Sequence, residues 1–389
     1  MNDKGIALPM AMMVMAVLVA LIVTFLVLAT SEPLIAHNQM AGAQARALAE
    51  TGIERALWAL TKAETTPGFL GALDPATTNP SPAPYNGGTF LQVSNLGGFT
   101  VTVADGPSAH EKVVTAVGWV PNNVSPLAVK KIQVRAIRIR RIDPPCAICA
   151  GGESPPGTSA EIRVGGSATV NASPATGASY CPGVTPLAGV MAQGSVTVNG
   201  SPNLSAPPGG TATAPNTPGS TFSPFLLTDS DMAYLKGLAK DNGTYYQGNT
   251  TFTSPPKDGI VFIDTPSGNP LTPTSPSSDL ITLQIHGTWP TGFNGWIIVA
   301  GSATIQGDAK ITGLVYAQND VTLNGLGTGA ITGAVISTNR LDTSSTNIDS
   351  GSIGQAPLTY DCGAIRTGGG SIPQGWSMRP GTFVEQAGR

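Results

Sequence analysis

Charged residues are scarce in this chain of 389 residues, of which only 11% are Asp, Glu, Lys or Arg. The formal net charge of −3 is close to neutral, so the overall balance gives no basis for binding nucleic acid or an anionic membrane surface. Histidine is rare, with His37, His110 and His286 alone. No P-loop or dinucleotide-binding fingerprint is present, which leaves a nucleotide-binding function without support.

Glycine and proline are abundant instead. They number 48 and 33, about a fifth of the chain, against an average usage of about 12%. This composition favours extended β structure with many turns over helical bundles. The length allows two or three domains.

The longest apolar run lies near the N-terminus, from Ile6 to Ala29, after a short leader that carries Lys4. A membrane-spanning helix needs about 20 apolar residues, so this run predicts a transmembrane helix over 6–30. A secretory signal peptide would have a shorter apolar centre, followed by a small-residue cleavage site that is not clear here. We therefore expect the helix to remain in the mature protein.

An Ala-rich amphipathic stretch continues the helix to about residue 64. Apolar residues recur in it at steps of three and four, as in a helix with one buried face. They are Ala41, Ala45, Leu48, Ala49, Ile53, Leu57 and Leu60. Pro33 lacks an amide hydrogen and would clash with the preceding turn, so we expect a kink or short break where the two parts meet.

The leader ending in Gly5, the apolar helix after it and the continuation QARALAETGIERALWAL together resemble the N-terminus of type IV pilin-like proteins, specifically the PilX-like minor pilins. The resemblance covers residues 4–62. It implies that a prepilin peptidase cuts after Gly5, and that Ile6 becomes the new N-terminus. The helix would then leave the membrane and pack against other pilins in a filament. Major pilins carry a Glu where this chain has Met10, so its absence suits a minor or tip subunit.

The resemblance also implies a location. The protein would be a single-pass protein of the bacterial inner membrane with a periplasmic C-terminal domain, and extracellular once assembled into a pilus. An ordinary single-pass anchor with an uncleaved leader is the alternative.

Four strand-like runs follow a Pro/Gly/Thr/Asn-rich linker at 65–88. Val101 and Val103 alternate with threonines, which predicts half-buried antiparallel strands. We expect a small sheet domain over 89–145, against which the helix packs. The runs cover 89–93, 99–104, 112–120 and 129–142.

The last of these runs is the most basic part of the chain. Its basic residues are Lys130, Lys131, Arg135, Arg138, Arg140 and Arg141. The alternation slips near Ala136, which predicts a bulge. One interpretation is binding to phosphate, DNA or an acidic partner. No aromatic residues interleave the basic ones, so we favour the other interpretation, a solvated or edge strand whose charges block unwanted pairing, and expect no nucleic-acid partner.

All four cysteines lie after the membrane segment, in the part that would be exported. They are Cys146, Cys149, Cys181 and Cys362. The spacing of the last two lacks the second close pair of a zinc ribbon. Prolines before and glycines after the Cys-Ala-Ile-Cys sequence disfavour a thioredoxin-type site. Structural disulfides are therefore preferred, with their connectivity open.

A heptapeptide of the type GSATIQG occurs four times, at 166–172, 194–200, 301–307 and 319–325. A second element, ITGLVYA at Ile311–Ala317, returns as ITGAVIS at Ile331–Ser337. Short β-branched strands at such spacing predict stacked coils, each burying its apolar face on its neighbours. The turn amides Asn199, Gln306 and Asn324 would then form a ladder.

The predicted fold class is thus α+β: a long N-terminal transmembrane and amphipathic helix, a small antiparallel sheet and a mainly β domain resembling a parallel β-solenoid. The β-solenoid-like domain would cover 146–361, with an insertion at 206–278 that holds one helix at Asp229–Asp241. The Gly-rich tail at 362–389 is expected to be poorly ordered, although Cys362 can tie it down.

Solenoid enzymes need clustered carboxylates, or a basic residue with acidic metal ligands, on one face. The candidates here are Asp308, Lys310 and Asp320, with Asp342 and Asp349 beyond them. Adjacent coils could bring Asp308 and Asp320 together to bind calcium, although isolated turn aspartates are more often structural. His286 and Trp289 form no triad with a Gly-x-Ser-x-Gly nucleophile. The sequence therefore predicts neither an enzyme nor a cofactor.

The expected function is that of a minor pilin in the assembly of a type IV pilus or a related filament, with the tip as one position. Its outward β domain would adhere to a surface ligand. The alternatives are a membrane-anchored adhesin unrelated to pili and a glycan-degrading solenoid enzyme. A K-type pseudopilin of type II secretion is a close relative of the first hypothesis, but its large helical insertion is not seen here. A retained leader would favour the anchored adhesin.

Overall fold

The computed structural model describes residues 7–65, 69–152, 159–173, 181, 184, 188–325, 327–341, 350–353 and 357–387. The chain divides into two units. The helix unit comprises Met1–Arg138 and Gly375–Arg389, and the parallel-sheet unit comprises Ile139–Gln374. The second unit is therefore inserted into the first.

Helix α1 (Ala7–Thr65) joins the apolar run and the amphipathic stretch into one element. The predicted helix is confirmed, but the break expected at Pro33 does not occur, because Pro33 lies inside the helix. A proline removes one intrahelical hydrogen bond, and the good helix formers on both sides outweigh that loss.

The predicted small antiparallel sheet is confirmed. Its first strands are β1 (Leu91–Val93), β2 (Gly97–Asp105), β3 (Glu111–Val120) and β4 (Ala128–Arg138). Strands β3 and β4 pair without interruption over the whole length of β3. The bulge predicted near Ala136 is wrong, because Ala136 pairs with Lys112 in that unbroken register. Ala136 and Ile137 are both buried, so apolar residues on the two faces need no bulge.

The core of the helix unit lies between α1 and this sheet. Ala49, Ala56 and Leu60 of α1 share one buried cluster with Val101 of β2 and Ile132 of β4. The residues predicted as a linker join this core. Leu73 and Tyr85 are buried in the same cluster, and the Tyr85 hydroxyl donates to the carbonyl of Gly71 at 2.8 Å.

Within its described residues, the parallel-sheet unit contains strands β5 to β22 and two α-helices. The strands are β5 (Cys146–Ala150), β6 (Ile162–Gly165), β7 (Thr169–Asn171), β8 (Ala188–Ala192), β9 (Val196–Val198), β10 (Asn203–Ser205), β11 (Thr211–Ala214), β12 (Tyr245–Gln247), β13 (Thr250–Phe252), β14 (Gly259–Asp264), β15 (Thr282–Ile285), β16 (Phe293–Val299), β17 (Ser302–Gln306), β18 (Lys310–Ala317), β19 (Val321–Asn324), β20 (Ala330–Ser337), β21 (Ser350–Ile353) and β22 (Pro357–Thr359). The helices are α2 (Asp229–Asn242) and α3 (Cys362–Thr367). Single 3₁₀ turns across the chain are Pro75–Thr77, Ser94–Leu96, Gly219–Thr221, Ser277–Asp279 and Gly368–Gly370.

These strands form two parallel sheets, and from β12 to β22 the chain alternates between them. One sheet runs in the order β12-β14-β16-β18-β20 and then branches, since β20 pairs with β22 through its first half and with β5 through its second. The branch from β5 continues to β8 and β11, and the branch from β22 continues to β7 and β10. The other sheet runs β13-β15-β17-β19-β21-β6-β9. In both sheets, strands from the later part of the unit therefore pair with strands from its earlier part: β20 with β5, β21 with β6 and β22 with β7.

Only some of the sequence repeats are neighbours in these sheets. The two ITG elements are neighbours in register, with Ile311 opposite Ile331. The heptapeptides in β17 and β19 are neighbours too, with Gln306 opposite Asn324. The copy in β9 lies at the far end of that sheet, and the copy in β7 lies in the other sheet. The predicted three-residue ladder is therefore wrong for Asn199, which follows β9.

The predicted insertion at 206–278 contributes four strands, β11 to β14, to the two sheets. Most are too short to show an alternating pattern. The helix predicted there is confirmed as α2. Thr228 caps its start in a capping box with Asp231, and Gly243, at φ 71°, ends it in the left-handed conformation.

Contrary to expectation, the described part of the C-terminal tail, which ends at Ala387, forms regular secondary structure. After α3 it forms β23 (Trp376–Met378) and β24 (Val384–Ala387), which both pair antiparallel with β4. The tail thus completes the sheet of the helix unit. It also corrects the edge-strand interpretation, because β4 is flanked by β3 on one side and by the tail on the other.

Candidate functional site

The first half of α1 is an exposed apolar surface. The span Leu8–Leu26 has a mean hydropathy of 2.6, and none of it is buried. By length and composition it can cross a membrane, which is consistent with a single-pass anchor. Met10, at the position where major pilins carry Glu, is exposed as well. The expected processing residues Gly5 and Ile6 lie outside the described residues.

The second half of α1 approaches the sheet closely through small residues. Ala45 and Ala49 are fully buried. A Cβ added at Gly118 of β3 would overlap the carbonyl oxygen of Ala45 and lie 2.7 Å from the amide nitrogen of Ala49. Helix backbone and strand backbone are therefore in direct contact at Gly118.

The four cysteines form two disulfides, which settles the connectivity. Cys146 pairs with Cys149 inside β5, and Cys181 pairs with Cys362 at the start of α3. Their Cα atoms are 5.6 and 5.1 Å apart. The sulfurs of Cys181 and Cys362 also lie within 4.8 Å of a carboxylate oxygen of Asp143. Because both sulfurs are bonded to each other, this group offers a metal no thiolate.

The surroundings of Cys181–Cys362 fix α3 in place. The buried Tyr360 hydroxyl donates to the carbonyl of Pro144 at 3.0 Å and lies 3.1 Å from Sγ of Cys181. Burial raises the pKa of Tyr360, so this hydroxyl keeps its proton. Arg366 of α3 donates two hydrogen bonds, of 2.6 and 2.7 Å, to Asp143.

We expect the two disulfides to differ in their effect on stability. Replacing Cys181 and Cys362 by alanine should lower the free energy of unfolding by about 4–5 kcal/mol, because their bond closes a loop with a sequence separation of 181. The same change at Cys146 and Cys149, separated by 3 positions, should remove only about 1–2 kcal/mol of loop entropy. Urea unfolding of both double variants, in oxidised and reduced samples, measures the difference. Equal losses would show that loop closure does not govern stability here.

Asp308 and Asp320 do not approach one another. Asp320 lies beside Ser302 at the start of β17, with 3.4 Å between Ser302 Oγ and Asp320 Oδ2, whereas Asp308 follows the end of β17. The length of the strand, on the order of 15–20 Å, separates them. The possible calcium pair is therefore wrong, because in-register stacking places the two residues at opposite strand ends. Asp308 instead accepts from the backbone of Thr328 at 2.8 Å, which lowers the pKa of its carboxyl.

The other catalytic candidates are dispersed. Lys310 begins β18 with an exposed side chain, and Trp289 is fully buried. His286 directly follows β15, where its amide donates to the carbonyl of Phe252. Asp342 and Asp349 lie outside the described residues.

Several basic side chains of the β4 region have acidic partners within their own unit. Lys130 pairs with Glu385 at 2.6 Å, and Arg135 lies 4.0 Å from Glu111. In the parallel-sheet unit, Arg140 pairs with Asp231 at 2.7 Å. Intramolecular pairing favours a structural role for these charges over binding of an anionic partner.

A small cavity in the parallel-sheet unit, lined mainly by apolar residues, was not predicted from the sequence. It lies beside α2 and has a volume of about 110 Å³. Gln318, directly after β18, lines it with a side chain that is 1% exposed. A single glutamine after an apolar strand carries no sequence signal of its own, since its burial depends on α2, far away in the chain.

These features define a protein with an exposed apolar N-terminal helix, an antiparallel sheet packed on the second half of that helix, and a disulfide-bonded unit of parallel sheets. Compared with known protein families, characterised proteins and solved structures, the chain matches none of them. Its function is therefore inferred from its own residues.

Proposed function

We propose that this chain is a minor pilin-like subunit that takes part in the assembly of a type IV pilus or a related filament. The observation that carries the proposal is α1, one uninterrupted helix whose first half is apolar and exposed and whose second half packs on an antiparallel sheet. Such a helix serves as a membrane anchor before assembly and packs against the helices of other subunits afterwards. Both states cover the apolar side chains that the single chain leaves exposed.

Met10 supports a minor rather than a major pilin. Its thioether carries no charge that could pair with the N-terminal amine of a neighbouring subunit. A subunit at the tip of a filament lacks a neighbour on one side, so it can dispense with this pairing.

The parallel-sheet unit is the part displayed outward in this proposal, as a β-solenoid that adheres to a surface ligand. Its alternation between two parallel sheets, with neighbouring strands in register, supports the solenoid. Its two disulfides fit an oxidising compartment, either the periplasm or the cell exterior. The proposed location is thus the bacterial inner membrane before assembly, with this unit periplasmic, and the cell surface afterwards.

Processing of the leader tests the proposal. In cells that contain an active prepilin peptidase, we expect the membrane-extracted chain to begin at Ile6, and at Met1 when the peptidase is absent. Gly5→Leu should block the cleavage, because the enzyme would cut after Gly5. Asn2→Ala, in the same leader, should leave it unchanged. Intact mass and N-terminal sequencing measure all four samples.

A known pilin expressed in the same cells shows that the peptidase is active. If that pilin is cut while this chain still begins at Met1, the pilin proposal fails. An uncleaved, membrane-anchored adhesin is then the better interpretation, since the exposed helix alone suffices as an anchor.

A further inference from the structure

The cavity beside α2, here called the Gln318 cavity, is formed by strand ends in register. Asp264, Ala300 and Gln318 end or directly follow β14, β16 and β18, one position beyond the last in-register pairs of these strands. The backbone amide of Ala300 donates to the carbonyl of Ile263 at 2.8 Å, and the backbone amide of Gln318 donates to the carbonyl of Val299 at 2.9 Å. Because the middle position is an alanine, space is left between the two larger polar side chains.

The side chain of Gln318 has unused hydrogen-bonding capacity. Neither its Oε1 nor its Nε2 finds a partner among the described residues, although the side chain is 1% exposed. Its backbone is fixed, since Arg340 and Thr338 both donate to its carbonyl, at 2.8 and 3.0 Å. A buried amide without partners is costly, and native structures normally satisfy it. The cavity thus presents one donor and one acceptor side by side.

The charges around the cavity are already neutralised. Lys236 of α2 forms an ion pair with Asp264 and donates to the carbonyl of Gly268 at 2.8 Å. Asp264 also accepts from the hydroxyl of Tyr245 at 2.9 Å. Asp229, at the start of α2, pairs with Arg340 at 2.7 Å. A charged ligand would have to compete with these pairs, so the cavity favours an uncharged group.

The remaining walls are apolar, and one side is open. Met232, Phe262 and Ala300 are at most 5% exposed and line the interior. Ala233 and Pro270 are exposed and line the opening between α2 and the loop after β14. The volume of about 110 Å³ equals that of roughly four waters. A group of similar size on a larger molecule can enter from the open side.

We propose that the Gln318 cavity binds an acetamido group, such as that of an N-acetylated sugar or an N-acetylated amine. The carbonyl of the ligand would accept from Nε2 of Gln318, a water kept in the cavity would donate to Oε1, and the acetyl methyl group would contact Met232 and Phe262. The ligand and this water together satisfy both atoms of Gln318 without disturbing the ion pairs. The proposal does not rest on pilus assembly, because the cavity lies wholly within the parallel-sheet unit.

Saturation-transfer NMR and calorimetry on the full chain, in a maltoside detergent, test it. N-acetylglucosamine and N-acetylalanine methylamide are the two probes, and they distinguish a sugar from an acetylated amine. We expect at least one to bind, with a dissociation constant on the order of 1 mM and the strongest saturation on the acetyl methyl group. Glucose, which lacks the acetamido group, should not bind.

Two variants and a control localise the binding. Gln318→Leu should weaken it at least about tenfold by removing the donor to the acetyl carbonyl. Ala233→Phe, on the exposed face of α2, should weaken binding similarly by covering the opening. Because this change leaves Gln318 and the buried walls of the cavity intact, it tests the proposal even if Gln318→Leu misfolds. Gln284→Leu, at an exposed position of β15, should bind like the wild type. If neither probe binds, or if Gln318→Leu and Ala233→Phe both bind as the wild type does, the cavity holds only water and the proposal fails.

Discussion

Gly313→Ala is expected to unfold the parallel-sheet unit. Gly313 has φ 139°, a conformation that residues with a Cβ rarely adopt. A Cβ there would overlap the carbonyl oxygen of Gly295 on the neighbouring strand, and this oxygen belongs to backbone that the sheet holds in place. We expect the free energy of unfolding of this unit to fall by about 4 kcal/mol or more, because the backbone strain and the steric clash add.

The effect should be large because Gly313 belongs to a row of glycines. Gly259, Gly295, Gly313 and Gly333 lie in register on β14, β16, β18 and β20. All four have positive φ, from 117° to 151°. A displacement at one strand is therefore passed to the backbone of the next, and no flexible side chain absorbs it.

Hydrogen-exchange mass spectrometry on peptides from β16, β18 and β20 measures the loss. Gly237→Ala is the matched control, because a Cβ at that position of α2 meets nothing within 4 Å. It should stabilise α2 by about 0.5–1 kcal/mol, as a glycine replaced inside a helix does. If Gly313→Ala keeps wild-type protection in these strands, the close approach does not limit stability.

Gly118→Val is expected to separate α1 from its sheet. The added side chain would occupy the space of the Ala45 carbonyl and the Ala49 amide, both of which belong to helix backbone. The helix would have to move outward as a whole, and the cluster that joins Ala49 to Ala116 and Val114 would lose its packing. We expect the free energy of unfolding of the helix unit to fall by about 3 kcal/mol or more.

Gly42→Ala is the control for this change. It adds a Cβ to α1 less than one turn before Ala45, where nothing lies within 4 Å. Exchange protection of β3 and thermal unfolding of the detergent-solubilised chain should fall for Gly118→Val and hold or rise for Gly42→Ala. Equal behaviour of the two variants would mean that the helix does not depend on close contact at Gly118.

The parts of the fold that the sequence predicts are those with a local pattern. The apolar run and the three- and four-residue steps of alanines identify α1. The alternation around Val101 and Val103 identifies β2, and the returning ITG element identifies β18 and β20 as neighbours. In each case the residues that pack together repeat at a fixed interval along the chain.

The parts that the sequence does not predict depend on distant contacts. β12 and β13 have three residues each, too few for alternation to show. β23 and β24 are strands because β4 offers them a partner, not because the Gly-rich tail favours extension. The same limit applies to sites. Whether Asp308 meets Asp320 is decided by register, and whether Gln318 is buried is decided by α2.

The pairing of Trp376 with Arg138 has a consequence for how this chain is divided. The parallel-sheet unit starts after Arg138 and ends before Gly375, so both of its connections reach two neighbouring antiparallel strands. Antiparallel neighbours are ordinarily joined by a turn of only two residues. In topological terms the whole unit is an enlarged hairpin loop, and a short turn, or another domain with adjacent ends, could take its place without changing the register of β4 and β23. The fold of the helix unit is thus compatible with different domains inserted between β4 and β23.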